Sequence, residues 1–359
     1  MTSKNQNFKP KYLDIYYNLR SQIIKGEYKT GSKLPSKRVL SEDLSVSTIT
    51  VEHAYGLLEE EGYIESRERS GYFVVFKKED GFMAQQNPVF DLDIEAVSHS
   101  TEEFPLSVIS KTMRKVITDY GEAMMAKSPN TGCAVLKDAI KNYLARSRNI
   151  HTNSDRIIIG SGAEYLYGLI VKLLGKNALY GVEYPSYEKI VKVYQTAGAR
   201  TEFLPLLLDG ISSESLKTTK ASVLHITPYR SFPTGITASA SKRHEYIRWA
   251  NLDNRYIVED DFESEFSLSS IKESTLFSLA DHDNIIYVNS FSKTISPSLR
   301  SAYMVLPEKL MSKFYNTLGF YSCTVPTFFQ LVVAELLSSG DFERHVNRVR
   351  RNKRKALLK

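Results

Sequence analysis

Lys293 lies in the run Ser290-Phe291-Ser292-Lys293, directly after the apolar stretch 284–289, and Arg300 follows seven residues later. A strand that ends there delivers an amine into a loop with hydroxyls and a guanidinium close by. Such an amine can form a Schiff base with an aldehyde cofactor, while Ser290, Ser292 and Arg300 can hold a phosphate. A lone lysine after a strand is more often a solvated surface residue. This one has company: Asp260 ends an apolar run upstream, Ser161-Gly162-Ala163 opens a helix pattern, and a DNA-binding pattern occupies the other end of the chain.

A pyridoxal phosphate site has definite needs. Its phosphate wants backbone N–H groups at a helix start, which Ser161, Gly162 and Ala163 can supply between a strand and a helix. Its ring wants an aromatic face, and Tyr187 follows the next strand pattern. Its pyridinium nitrogen wants a carboxylate, because a protonated ring is the better electron sink. Asp260 follows Tyr256-Ile257-Val258-Glu259 and meets that need. Glu259, Asp261, Glu263 and Glu265 crowd the same loop, but no His or Cys accompanies them with ligand spacing, so no metal is expected.

The elements that must position these residues follow from periodicity. Strands are predicted at 156–159, 178–180, 222–226, 256–258, 285–288 and 302–305, with helices at 163–174, 187–196 and 241–249 among them. Alternation of this kind implies a mostly parallel sheet covered on both faces, with ligand loops at the strand C-terminal ends.

The first eighty residues are different. An amphipathic helix is predicted over 12–24, with Ile15, Tyr16, Leu19 and Ile23 on its apolar face. Ser36 caps a short helix carrying Val39, Leu40 and Leu44. Ser47 caps another, whose buried stripe is Val51, Ala54, Tyr55 and Leu58. Two short helices joined by a tight turn form a helix-turn-helix, and the strands around Glu68-Arg69-Ser70-Gly71 make a basic-tipped hairpin, a wing.

Composition sets bounds on all this. At 359 residues the chain exceeds one ordinary core. The net charge of +6 is not a DNA signal, because residues 341–359 hold eight Lys and Arg against Asp341 and Glu343 and account for all of it. No apolar run is long enough to span a bilayer, and the N-terminus lacks the apolar core of a signal peptide. Two cysteines, Cys133 and Cys323, suit a reducing compartment, so the cytoplasm is expected. The domains predicted are a winged helix-turn-helix over 1–78, a linker over 79–99, a large domain over 100–340 and a basic helix over 341–359.

The segment GSKLPSKRVLSEDLSVSTITVEHAYGLLEEEGYIESRERSGYFV resembles the winged-helix domain of GntR-type bacterial regulators. The blocks YIVEDDFESEF, VNSFSKTISPSLRSAYMVLP, TPYRSFPTGI and SGAEYLYGLIVKLL resemble fold-type I aminotransferases and, more narrowly, MocR/GabR-type regulators, which join the two. The resemblance implies an α/β aminotransferase-like domain behind a winged helix. It also implies a homodimer on operator DNA that senses pyridoxal phosphate, with or without a small amine or amino acid effector. By the same resemblance Lys293 forms the internal aldimine, Asp260 pairs with the pyridinium nitrogen and Tyr187 stacks on the ring. Ser161, Gly162, Ala163, Ser290, Ser292 and Arg300 hold the phosphate. On the DNA side Ser36, Arg38, Ser47, Thr48 and Thr50 face the groove or phosphates, and Arg67 and Arg69 reach the minor groove.

Departures from the family pattern shape what to expect. Thr48 stands where an arginine is common, Phe262 where a tyrosine bonds the cofactor's phenolate, and Lys189 where GABA-sensing members carry an arginine. Arg230-Ser231 replaces a His-Gln pair. The C-terminal subdomain of the family is expected to be truncated, with 344–359 a basic helix that offers a solvated face or a partner contact. Two other readings stay open: an aminotransferase with an attached winged helix, and a remnant that holds no cofactor.

Overall fold

The computed structural model describes residues 11–77, 103–252, 255–262, 264–268 and 274–357. The expected linker over 79–99 and the acidic Glu263 lie outside the described residues. Contacts divide the chain into two compact units, Met1–Ala96 and Val97–Lys359.

In the first unit α1 (Lys11–Lys25), α2 (Lys37–Asp43) and α3 (Thr48–Glu60) precede the hairpin strands β1 (Ile64–Arg67) and β2 (Gly71–Val74). Helical spacing brings Ile15, Tyr16, Leu19 and Ile23 of α1 onto Val51, Ala54, Tyr55 and Leu58 of α3 in one apolar core. Leu34 joins that core, and its N–H donates to Tyr72 O at 2.9 Å, which ties the approach to α2 onto the wing. In α2 only Leu40 of the three expected apolar residues is buried; Val39 and Leu44 are exposed. A seven-residue helix has room for one inward position, so its other apolar residues stay outside.

The second unit is built on an eight-stranded sheet. Its strands are β3 (Ile157–Gly160), β4 (Leu179–Tyr184), β5 (Arg200–Leu207), β6 (Gly210–Ile211), β7 (Val223–Ile226), β8 (Tyr256–Asp260), β9 (Ile285–Ser290) and β10 (Ala302–Val305). They lie in the order β3-β10-β9-β8-β7-β4-β5-β6. The run β9-β8-β7-β4-β5 is parallel, whereas β10 and β6 run against their neighbours. Period two sorts the side chains between the faces. Ile157, Ile159, Tyr303 and Val305 point to one core with the helices Ala134–Arg148 and Thr327–Ser338, while Ile158, Ala302 and Met304 point to another with Ala163–Leu174 and Glu308–Leu318. Both faces are covered, which is why the strands read as continuous apolar runs.

The basic C-terminal segment is a helix, Asp341–Leu357, and it is not merely a solvated cylinder. Phe342, His345, Val346 and Val349 are buried, and Arg350 Nε donates to Glu265 O at 2.6 Å. The basic side chains occupy the other side of an amphipathic helix. Among the described residues no helix is long and apolar enough to cross a membrane.

Candidate functional site

β4, β7, β8 and β9 point the same way, so their C-terminal ends open on one edge of the sheet. A cavity of about 340 Å³ lies there, within the usual range for a small-molecule site. Ala163, Tyr187, Asp260, Ser290, Ser292, Lys293 and Arg300 all line it. The sheet thus gathers residues that are up to 137 positions apart, from Ala163 to Arg300. Ser161 and Gly162 stand beside this cavity and not on its wall.

The helix start is shaped by a close approach. Gly162 has φ +93°, and a Cβ there would come within 2.6 Å of Arg300 Nη2. Only glycine lets the guanidinium lie against this turn. Arg300 in turn donates to Ser161 O at 3.2 Å and stands 3.6 Å from Glu164. The N–H groups of Ser161 and Gly162 are already committed, to Thr324 Oγ1 at 3.0 Å and Gly160 O at 2.9 Å. Ala163, at the first turn of its helix, is the residue of this trio that meets the cavity.

Asp260 is 7% exposed and closes β8. Tyr167 donates to its Oδ2, and His225 Nε2 stands 3.7 Å from the same oxygen with no hydrogen-bond partner among the described residues. The other ring nitrogen of His225 meets Tyr194 Oη at 2.5 Å. Tyr167 and His225 are functional candidates that sequence reasoning missed. Tyr167 offered a faint signal, a polar tip four residues into an apolar helix; His225 offered only a histidine within a buried strand.

Beneath this wall lies a dense polar cluster. Arg148 pairs with Asp261 at 2.8 Å and with Glu265 at 3.3 Å, all three buried, and also donates to Ser264. Tyr287 donates to Asp261 at 2.5 Å, and Asn289 Nδ2 to Glu265 at 2.8 Å. Asn289 Oδ1 accepts the N–H of Ser290 at 2.5 Å. One asparagine therefore links the loop after β8 to the C-terminal end of β9. Burial pushes the Glu265 carboxyl up, and its Oε2 has no partner among the described residues.

On the opposite side Glu183 is fully buried, and desolvation raises its carboxyl to about 7. It accepts from Ser231 Oγ at 2.6 Å and from Thr227 N–H at 3.3 Å, so Ser231, in place of the family's glutamine, anchors the turn that lines the cavity. Tyr187 meets Phe232 edge to face at 6.0 Å, and Phe262 lines the wall without a hydroxyl. Lys189 is already engaged, 3.4 Å from Glu164, which blunts any grip on a ligand's carboxylate.

In the winged unit Ser36 and Ser47 are the N-caps of α2 and α3, accepting from Val39 and Thr50 N–H at 3.2 Å each. Ser47 Oγ also meets Thr50 Oγ1 at 2.7 Å. Arg38, Thr48 and Arg69 are exposed, and Arg67 lies over the Phe73 ring at 4.4 Å. Lys37 pairs with Glu52 at 2.5 Å, joining α2 to α3.

Residues 11–74 match the family described as bacterial regulatory proteins, gntR family, and residues 87–358 match aminotransferase class I and II. The Bacillus subtilis protein named uncharacterized HTH-type transcriptional regulator YdeL is 30% identical over 96% of this chain and 77% of its own length. The probable rhizopine catabolism regulatory protein MocR of Rhizobium meliloti is 26% identical over 95% of this chain and 74% of its own. The HTH-type pyridoxine biosynthesis transcriptional regulator PdxR of Corynebacterium glutamicum is 27% identical over 93% and 74%. Among solved structures, an archaeal alanine:glyoxylate aminotransferase superposes with a TM-score of 0.63 at 19% identity, over 68% of this chain; the chain spans 63% of that enzyme. That likeness concerns the fold. A gntR-type winged helix implies DNA binding, and its union with an aminotransferase fold shows that the chain belongs to the MocR-type HTH transcriptional regulators.

Proposed function

We propose that this chain is a DNA-binding regulator whose large unit responds to pyridoxal phosphate, alone or with a small amine or amino acid. The observation that carries this reading is the meeting of Lys293, Asp260, Tyr187 and Arg300 on one cavity behind a gntR-type domain. The residues present fit the cofactor. The space that a Cβ at Gly162 would fill is held by a guanidinium suited to a phosphate, and a buried carboxylate stands in the same wall.

Pyridoxal phosphate, when bound, supplies an aldehyde that a lysine amine takes up reversibly. Lys293 is the amine. Ala163, Ser290, Ser292 and Arg300 take the phosphate, with Ser161 and Gly162 forming the turn that admits it. Ser290 Oγ accepts the Ser292 N–H at 3.1 Å, which leaves its own O–H to donate. Asp260 faces the ring nitrogen, held in place by Tyr167 with His225 close by, and Tyr187 covers the ring. Phe262 offers no donor to the phenolate, which favours sensing over turnover. Ser36, Arg38, Ser47, Thr48, Thr50, Arg67 and Arg69 serve the DNA. A ligand of the large unit changes DNA affinity only as far as it binds two states of the protein unequally. A homodimer in the cytoplasm, reading paired half-sites, completes the proposal.

The experiment measures affinity for duplex DNA from upstream of the chain's own gene, with and without pyridoxal phosphate, in the native protein and in Lys293→Ala. A visible absorption band and a ligand-dependent change in affinity are expected in the native protein, and neither in the variant. An identical response in both rejects Lys293 as the sensor. Transfer of amino groups to a keto acid at a useful rate would instead favour an aminotransferase with an attached winged helix.

A further inference from the structure

Ile49 is 64% exposed, although it stands in the first turn of α3 and the rest of that helix's large apolar residues serve the core. At roughly 100° per residue it points nearly opposite to Val51 and Leu58, so the core has no claim on it. Its immediate neighbours are all polar: Ser47, Thr48 and Thr50 lie around it, and Arg38 is exposed on α2. Exposed isoleucines scattered on a surface are ordinary. This one sits where a recognition helix meets base edges, because the N-terminal residues of the second helix enter the major groove.

The polar neighbours leave a gap in readout. Ser47 Oγ is committed to Thr50 by two hydrogen bonds, as acceptor from its N–H and partner of its hydroxyl. Glu52, one turn further on, is neutralised by Lys37 at 2.5 Å and is not poised to accept from a cytosine amine. Thr48 lacks the fork of a guanine reader. What remains is a branched apolar side chain aimed outward. In the major groove the one apolar group on a base edge is the thymine 5-methyl.

We propose that Ile49 is a specificity-determining residue that packs on a thymine methyl group, so that the operator half-site favours a thymine opposite the start of α3. This rests on the DNA-binding reading but not on pyridoxal phosphate. The contact adds discrimination between thymine and the other three bases, where hydroxyls alone tolerate several.

The test begins with selection of sites by the full-length chain from a random-sequence duplex library. Each thymine of the selected half-site is then replaced in turn by deoxyuridine, which lacks only the methyl group. Removing one buried methyl is expected to weaken native binding about four-fold at one position. In Ile49→Ala the same replacement should cost nothing, while a thermal unfolding midpoint as in the native chain attests to an intact fold. Deoxyuridine tolerated at every thymine, or costing the same in both proteins, overturns the proposal. Failure to enrich any sequence overturns the DNA-binding reading as well, and the two failures are told apart by the selection step.

Discussion

Arg38 in the winged unit keeps 87% of its side chain in solvent, and Thr48 is also exposed; Asp260, Asp261 and Arg148 in the large unit are nearly sealed. A partner as large as duplex DNA comes to the side chains, so they can wait in water on a scaffold that does not depend on them. A small ligand must be surrounded, so one wall residue, Asp260, is buried with the core while Tyr187, Lys293 and Arg300 stay exposed. In the first unit recognition and stability are carried largely by different atoms, the N-caps Ser36 and Ser47 excepted. In the second they meet at Asp260 and the buried cluster beneath it, and change there should be felt by the whole unit.

The largest expected break is Arg148→Ala, which leaves Asp261 and Glu265 facing each other in the interior. Loss of one partner from a buried ionic cluster costs about 3–5 kcal/mol, to be read from denaturant unfolding of the large unit. A loss no greater than that of a surface substitution would erase the contrast between the two units.

A second effect is a slope. The folded-state carboxyl of Glu183 is raised to about 7, against about 4.3 in an unfolded chain. The folded protein thus keeps a proton that the unfolded chain gives up. Stability from this group is full below about pH 4.3 and is lost as pH rises through 7. Both donors reach Oε2, so Glu183→Gln can keep them with its amide oxygen. It should hold stability more evenly between pH 5 and pH 8, and an unchanged slope in thermal unfolding would reject the assignment.

Smaller again is Tyr167→Phe, which strips Asp260 of its donor and should cost about 1.5–3 kcal/mol in the same unfolding assay. Smallest is Thr48→Ala, expected to stay within about 0.5 kcal/mol of the native stability while weakening DNA binding in a mobility-shift titration. Ser47→Ala sharpens the point, because the lost N-cap adds about 1 kcal/mol of destabilisation to the lost contact.

Much of this was legible from the residues. The helix expected over 163–174 forms as Ala163–Leu174, and the six strands expected around the site fall within a few residues of those formed. Those elements are long or apolar on both faces, and burial follows from that. β5 was not anticipated, since its sequence holds Pro205 and only Leu204 is buried along it. The wall residues lining the cavity, from Lys293 to Tyr187, were found because each follows a strand. Tyr167 and His225 were not, because their partner Asp260 lies 93 and 35 positions away and nothing local marks the meeting. The apolar stripe Phe342, Val346 and Val349 was masked by the basic residues that surround it.

Position 162 carries a constraint on descent. Its backbone angle excludes side chains, and the guanidinium of Arg300 fills the space that one would need. Shortening residue 300 would clear the volume without relieving the backbone, so no single compensating change rescues a substitution there. Lineages that keep the pocket in use should therefore keep this pair together, and those that abandon it should be free to lose either first.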